Sequence, residues 1–251
     1  MKICYYRIMK VHIVSEIASN WEGNISTAKK LIYESKESGA NAVKFQMWRA
    51  NDLYDNDHPE WKFIKKSELT FEKIKKLKKY ADDIGIEFFC SAFYPEAIDF
   101  LKSIGVKKFK IASRTCLFSD PYSSETINQI AQTKKPVIIS MGMGGDKMKI
   151  KKILAKNKTL FCYCISEYPT ELKKINWTEL KKFDGFSDHT LGIIAPIVFT
   201  LIKKQMNSKE IFIEKHVKLK NSRGPDASSS IDTYELKTLV DQIRSIERLN
   251  F

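Results

Sequence analysis

Short apolar runs rich in β-branched and aromatic residues recur along the chain at fairly even intervals. They read "HIVSEI" (12–17), "AVKFQM" (42–47), "EFFCSAF" (87–93), "KKFKIAS" (107–113), "PVIISMG" (136–142), "TLFCYCIS" (159–166), "GFSDHT" (185–190) and "EIFIEKHV" (210–217). Runs of this length and composition predict strands. Between them lie stretches whose apolar residues recur at helical spacing: "ISTAKKLIYESKESG", "FEKIKKLKKYADDIG", "PEAIDFLKSIG", "SSETINQIAQTK", "KMKIKKILAKN", "APIVFTLIKKQM" and "TYELKTLVDQIRSIERL". Each predicts an amphipathic helix with one face on a core. After the sixth strand only "NWTELKKF" is a candidate. Gly39, Gly85 and Gly105 close three of these patterns, as a glycine just past a helix C-terminus does.

Eight strands alternating with about eight helices imply parallel pairing through right-handed crossovers. At 251 residues the chain has the length of one (β/α)8 TIM barrel, an α/β fold of typically about 250 residues. The reading is a single barrel domain over residues 11–251 with an N-terminal extension over 1–10. No Gly-x-Gly-x-x-Gly turn follows the first strand, which argues against a dinucleotide-binding sheet. One connection, 48 to about 70, is long ("WRANDLYDNDHPEWKFIKKSEL"). It follows a strand, so it belongs to the barrel face where chemistry is done.

Composition narrows the classes. No apolar run reaches the roughly 18–20 residues of a membrane span; "LGIIAPIVFTLI" is too short. The basic start "MKICYYRIMK" lacks a signal-peptide apolar region, and the expectation is a cytoplasmic protein without a membrane partner. Five cysteines at irregular spacings do not suggest a disulfide framework; "FCYCIS" puts two thiols on one strand face without a second pair to complete a zinc set. The net charge of +13 invites an anionic partner, but most lysines alternate with apolar residues on helical stretches, as on a solvated face. Without interleaved aromatics or a known motif, nucleic acid is not an expected partner.

Candidate chemistry collects at the strand ends. Side chains alternate along a strand, and the outer face of a barrel wall is expected to be apolar, covered by helices. The polar positions then point inward: Glu16, Lys44, Gln46, Lys110, Ser113, Ser140, Ser166, Ser187, His189 and His216, with Glu214 on the same strand face as His216. His189 and His216 end neighbouring strands about 4.8 Å apart. Two imidazoles so placed can share a divalent cation, or each can simply hydrogen-bond in a polar mouth. His12, at the opposite end of the barrel, reads as structural; His58, in the long loop, reads as lid, substrate contact or surface. Lys44 and Lys110, each inside an apolar strand, are costly to bury without an anion. Ringed by serines they suit a phosphate or carboxylate; internal salt bridges to Glu16 and Glu214 are the alternative, and an imine-forming lysine is a third reading.

These residues resemble the sialic acid (N-acetylneuraminate) synthase family, which includes legionaminic and pseudaminic acid synthases. The resemblance runs from about Val11 to Leu249 and rests on "SEIASNWEGN", "SGANAVKFQ", "LKSIGVKKFKIAS", "KPVIISMGM", "CISEYPT", "GFSDHTLG", "EKHVKL", "RGPDASSSI" and "IRSIER" in order. It implies condensation of phosphoenolpyruvate (PEP) with an N-acetylated hexose to a nonulosonic 2-keto acid, with phosphate released. It implies His189 and His216 as ligands of a divalent metal of the manganese type, Mg2+ or Co2+ being alternatives. Lys44, Lys110, Ser113, Ser140, Ser166 and Ser187 match PEP positions; Glu16, Gln46, Tyr168 and Asp226 match positions that meet the sugar or the water, and a homodimer is a candidate assembly. Three departures stand out. Most members continue into a small antifreeze-like domain, whereas this sequence stops at Phe251. Arg114 and Thr115 follow the strand-four serine where a glutamate is usual two residues on. The first loop reads "SNWEG" in place of Asn-His-Asn-Gly. A barrel that binds such ligands without catalysis, as a partner or regulatory subunit, is the competing reading.

Overall fold

A computed structural model describes residues 9–250. The first half of the chain forms β1 (Lys10–Glu16), α1 (Ile25–Glu37), β2 (Ala42–Met47), α2 (Ala50–Leu53), α3 (Trp61–Lys66), α4 (Phe71–Asp83), β3 (Glu87–Ala92), α5 (Pro95–Ser103), β4 (Phe109–Ile111) and α6 (Ser123–Thr133). The second forms β5 (Val137–Ser140), α7 (Lys147–Ile153), β6 (Thr159–Cys164), α8 (Trp177–Leu180), β7 (Gly185–Asp188), α9 (Ile194–Gln205), β8 (Glu210–Lys218), β9 (Ile231–Asp232) and α10 (Thr233–Glu247). Strands β1 to β8 pair in sequence order, all parallel, and β1 pairs with β8, so the sheet closes into the expected (β/α)8 barrel. The proposed extension over 1–10 lies outside the described residues save for its last two positions, and β1 already begins at Lys10.

Closure is the most extensive pairing in the barrel: seven consecutive residues of β1, Lys10 to Glu16, face Glu210 to His216 of β8. Helix α10 clamps this seam. Arg244 donates to the Val11 carbonyl at 2.9 Å and to Asn41 Oδ1 at 2.8 Å, while Glu247 accepts from the Val11 amide at 2.6 Å. The helix starts cleanly because Asp232 and Glu235 form a reciprocal capping box.

The strands divide the core in two. Their outward residues pack with the helices into one large apolar shell, including Val11, Ile13, Phe45, Phe109, Phe186 and Ile213. Their inward residues form a smaller plug of Val14, Ala42, Phe89, Ile138, Cys162 and Phe212. The polar inward residues lie above this plug, so the barrel is solid below and chemical above. The expectation of an apolar outer face fails around β8: Asp188 and Lys215 point outward and are fully buried as an ion pair, and the buried Ser15 faces outward on β1 in register with Lys215. Strand alternation places Asp188 and Lys215 on this face, opposite Ser187, His189, Glu214 and His216, and the rule that the face is apolar was too strict.

Smaller differences have local causes. Strand β4 is three residues long, so Ser113 lies beyond its end. The long loop carries α2 and α3, four and six residues long, too short for periodicity to reveal. The crossover after β6 is only a 3-10 turn and the four-residue α8. Strand β9 adds two residues beside the end of β8, after a 3-10 turn over Pro225–Ser229; nothing in "RGPDASSSI" signalled it. Gly39, Gly85 and Gly105 do end helices with φ between +73° and +84°, the left-handed region open to glycine. The four described cysteines are all buried and free.

Candidate active site

Above the plug, at the C-terminal ends of the strands, a cavity of about 450 Å³ opens. Twelve of the thirteen residues singled out in the sequence line it: Lys44, Gln46, Lys110, Ser113, Ser140, Ser166, Tyr168, Ser187, His189, Glu214, His216 and Asp226. Glu16 lies just behind the wall, with no solvent exposure, and touches it through two lining residues. Gln46 donates to Glu16 Oε1 at 2.7 Å, and Lys44 Nζ is 2.9 Å from Glu16 Oε2.

The floor is a charged network. Lys110 donates to Glu214 Oε1 at 2.9 Å and to Ser140 Oγ at 2.7 Å; Ser140 and Ser187 hydroxyls are 2.8 Å apart. Lys44 donates to Ser91 at 3.1 Å and lies 3.3 Å from the same Glu214 oxygen. The register builds this cluster by placing Glu16 beside Lys44 and Ser91 beside Lys110 on adjacent strands. The internal salt bridges considered as an alternative are therefore present. They leave the anion-binding reading open, because both ammoniums and their serine partners still face the cavity.

Burial pushes the Glu16 carboxyl up to about 7; Lys44 pulls it down, but Glu214 adds to the rise. Glu214 goes the other way, to about 2: burial opposes its charge, and Lys110 and Lys44 outweigh that. Of the two carboxyls, Glu16 is thus the one that holds a proton near neutrality. Burial also disfavours the Lys44 ammonium, yet Glu16 and Glu214 more than offset it and hold its pKa above the usual lysine value. An imine needs the free amine, so Lys44 is badly placed for Schiff-base chemistry.

On the other side of the mouth the His189 and His216 rings are 5.3 Å apart, and the Tyr168 ring lies 4.0 Å from His189. His189 Nδ1 donates to the Ile165 carbonyl at 2.7 Å, which fixes the tautomer and leaves Nε2 as a lone pair. His216 Nδ1 is buried without a hydrogen-bond partner. Burial lowers both pKa values to about 3, His189 further through His216, and His216 through Lys44. Both rings are neutral at ordinary pH, the form that binds metals, and the orphaned nitrogen and fixed tautomer fit a divalent cation. Among the described residues no group of three His, Cys, Asp or Glu side chains converges. A cation held here would keep positions open for water or substrate.

A second feature is a cradle in the wall. Gly142 donates its amide to Ser113 Oγ at 2.9 Å. A Cβ at Gly142 would meet Ser166 Oγ at 2.6 Å, Cys164 Sγ at 2.9 Å and Ser113 Oγ at 3.0 Å. The missing side chain keeps three polar atoms around one hollow. Near the rim, Asp226 accepts from the Ser19 amide at 3.0 Å and from its hydroxyl. Arg114 is held two-pronged by Asp120 at 2.6 and 2.8 Å.

The cavity also has lining residues that sequence reasoning missed: Tyr54, Ser91, Phe93, Ala112, Met143, Cys164 and Pro225, while Arg114 had entered only as a departure. Ser91 was findable, since it shares strand parity with Phe89 and is in register with Gln46. Cys164 was likewise two positions from Cys162 on one face. Tyr54, Met143 and Pro225 come from loops, where no period marks direction. His58 packs edge-on against Tyr54 at 5.4 Å without lining the cavity. His12 pairs with Glu210 at 2.8 Å at the opposite end.

The NeuB family profile matches residues 31–250. The chain is 35% identical over 250 residues to an uncharacterized protein of Methanocaldococcus jannaschii, covering 94% of this chain and 71% of that one. It is 33% identical to the N,N'-diacetyllegionaminic acid synthase of Legionella pneumophila, covering 95% and 73%. The crystal structure of the N-acetylneuraminic acid synthetase of Leptospira borgpetersenii in complex with citrate superposes with a TM-score of 0.83 at 25% identity, over 95% of this chain and 84% of that one.

Proposed function

We propose, from the premise that the chain belongs to the NeuB family, that it joins phosphoenolpyruvate to an N-acetylated hexose, giving a nonulosonic 2-keto acid and inorganic phosphate. The observation that carries this reading is the pair of buried ammoniums, Lys44 and Lys110, 3% and 2% exposed on the floor of a serine-lined cavity. Such a floor is suited to a small dianion or trianion withdrawn from water. The relatives' names supply the acceptor class: one makes a diacetylated nonulosonic acid.

In the proposed reaction C3 of phosphoenolpyruvate forms a bond to the aldehyde carbon of the open-chain sugar, whose oxygen takes up a proton. Water adds at C2, and the C2–O bond to phosphate breaks to leave the ketone. Lys110, Lys44, Ser140 and Ser187 bind and orient the phosphate and carboxylate and stabilise the charge that accumulates as phosphate leaves. The Ser113 and Ser166 hydroxyls around Gly142 add neutral donors. Glu16, protonated near neutrality and linked to the cavity by Gln46 and Lys44, is placed to hold or pass a proton. Tyr168 and Asp226 shape the acceptor side, while Glu214 holds Lys110 and Lys44 in the floor. His189 and His216 would hold a divalent cation, manganese by family resemblance with magnesium or cobalt as alternatives, which supplies Lewis-acid polarisation of the aldehyde.

The same reading locates the reaction in the cytoplasm, where phosphoenolpyruvate is made; no described helix is long and apolar enough to cross a membrane. A homodimer is the candidate assembly. The test incubates the purified, metal-loaded protein with phosphoenolpyruvate and a panel of N-acetylated hexoses. Phosphate release that depends on one sugar, with a product three carbons longer, is the expected result. Binding of phosphoenolpyruvate without turnover on any sugar would favour the non-catalytic barrel, and no binding at all would overturn both.

A further inference from the structure

On β7 and β8, inward and outward residues alternate: Ser187 and His189, like Glu214 and His216, face the cavity, while Asp188 and Lys215 face the helix layer. The strands pair Asp188 directly with Lys215. Lys215 Nζ lies 2.7 Å from Asp188 Oδ2, and neither side chain is accessible to solvent. Asp188 Oδ1 accepts from the Thr190 amide at 2.9 Å, and Lys215 also donates to the Thr190 carbonyl. Lys215 is thus tied to both neighbours of His189 and is itself the neighbour of His216. Neither charged group lines the cavity.

Stability does not account for such a pair. Two charges in an apolar layer pay a desolvation cost that often exceeds their attraction, and well-packed apolar residues do as well or better. What the pair supplies is geometry, because every bond it makes fixes a residue adjacent to one of the two histidines. We propose that Asp188 and Lys215 are positioning residues, a charged clasp on the outside of the barrel wall that sets the spacing of His189 and His216 for a divalent cation. This rests on the metal reading above. Partners that orient a metal ligand from behind typically govern affinity by about 10- to 100-fold.

The test titrates Mn2+ into the metal-stripped full chain and reads free Mn2+ by electron paramagnetic resonance. The variants are Asp188→Asn, the double variant Asp188→Asn with Lys215→Met, and Lys203→Met. Asp188→Asn is isosteric and keeps an acceptor for the Thr190 amide, so it carries the test if the double variant does not fold. Lys203 is another buried lysine, on α9, bonded only to the Lys181 and Phe183 carbonyls at 3.2 and 2.8 Å; its loss costs stability away from the histidines. Weakening of Mn2+ binding by about 10- to 100-fold in the clasp variants, with Lys203→Met unchanged, is the expected result. Clasp variants that bind Mn2+ as tightly as the parent, or a Lys203→Met that weakens it equally, would overturn the clasp alone. A parent that binds no Mn2+ would overturn the metal reading together with it.

Discussion

Strand β8 carries a buried cation–carboxylate assembly on each of its faces, and the two are built differently. Inside the barrel, one oxygen of Glu214 is shared by Lys110 and Lys44, and its other oxygen has no hydrogen-bond partner. Hydroxyls complete the set, and it opens on a cavity of about 450 Å³. Outside, Lys215 faces Asp188 one to one, the Thr190 carbonyl accepts a further hydrogen bond from the ammonium, and neither charged residue lines that cavity. Shared partners beside open volume let an incoming anion replace a carboxylate. A closed pair has no such freedom, since any loss leaves a charge buried without a partner. The same residue types therefore serve binding on one face and fixation on the other.

The largest effect should come from opening the closed side. Lys215→Met leaves Asp188 uncompensated and should cost about 3–5 kcal/mol of stability, read by urea denaturation of the metal-free protein. A cost as small as that of a surface substitution would erase the contrast. Lys110→Met should cost less stability, because Glu214 retains Lys44, while phosphate release from phosphoenolpyruvate falls by about 10²–10³-fold. Equal destabilisation by the two lysine variants would mean that the inner network is as rigid as the outer.

The inner network should also answer to pH. The Glu16 pKa is raised in the fold to about 7 from 4.5, so the native state binds the extra proton between those values. Its favourable contribution is complete below the lower value and is lost as pH rises through about 7. The stability of Glu16→Gln should therefore gain on the parent across this window and then hold a constant difference; a gap independent of pH would count against a proton on Glu16. Smaller again is Gly142→Ala, whose Cβ crowds three cavity atoms. Overpacking of this kind costs about 1–3 kcal/mol, and the expected signature is a raised KM for phosphoenolpyruvate. The smallest belongs to the half-exposed His12–Glu210 pair. His12→Gln should change stability by under about 1 kcal/mol and leave turnover alone.

Much of this is legible in the sequence, for a reason specific to parallel barrels. Every strand is buried on both faces, so a lysine, glutamate or histidine inside an apolar run has only two destinations, and alternation fixes which one. That argument brought Lys44, Lys110, Glu214 and His216 to one cavity from strands far apart in sequence. It failed where alternation stops. Tyr54 and Met143 enter from loops, and β9 is held by its neighbour and not by its own pattern. It also failed where an assumption was added to it. Lys215 lies on the face that the pattern assigns, and the supposition that this face holds only apolar groups hid its buried pairing with Asp188. The acceptor sugar is the least legible part, because the rim is made of loop residues such as Arg114, Asp226 and Pro225.

The seam between β1 and β8 has a consequence for synthesis on the ribosome. The first strand emerges early, but its seven-residue partner is about two hundred residues downstream. At roughly 5–20 residues per second, the nascent chain carries an unpaired β1 edge for about 10–40 s. The clamp at Val11 needs Arg244 and Glu247, which follow later still. Until β8 clears the exit tunnel the barrel is an open sheet, and the interval before closure is when a chaperone has the most to protect.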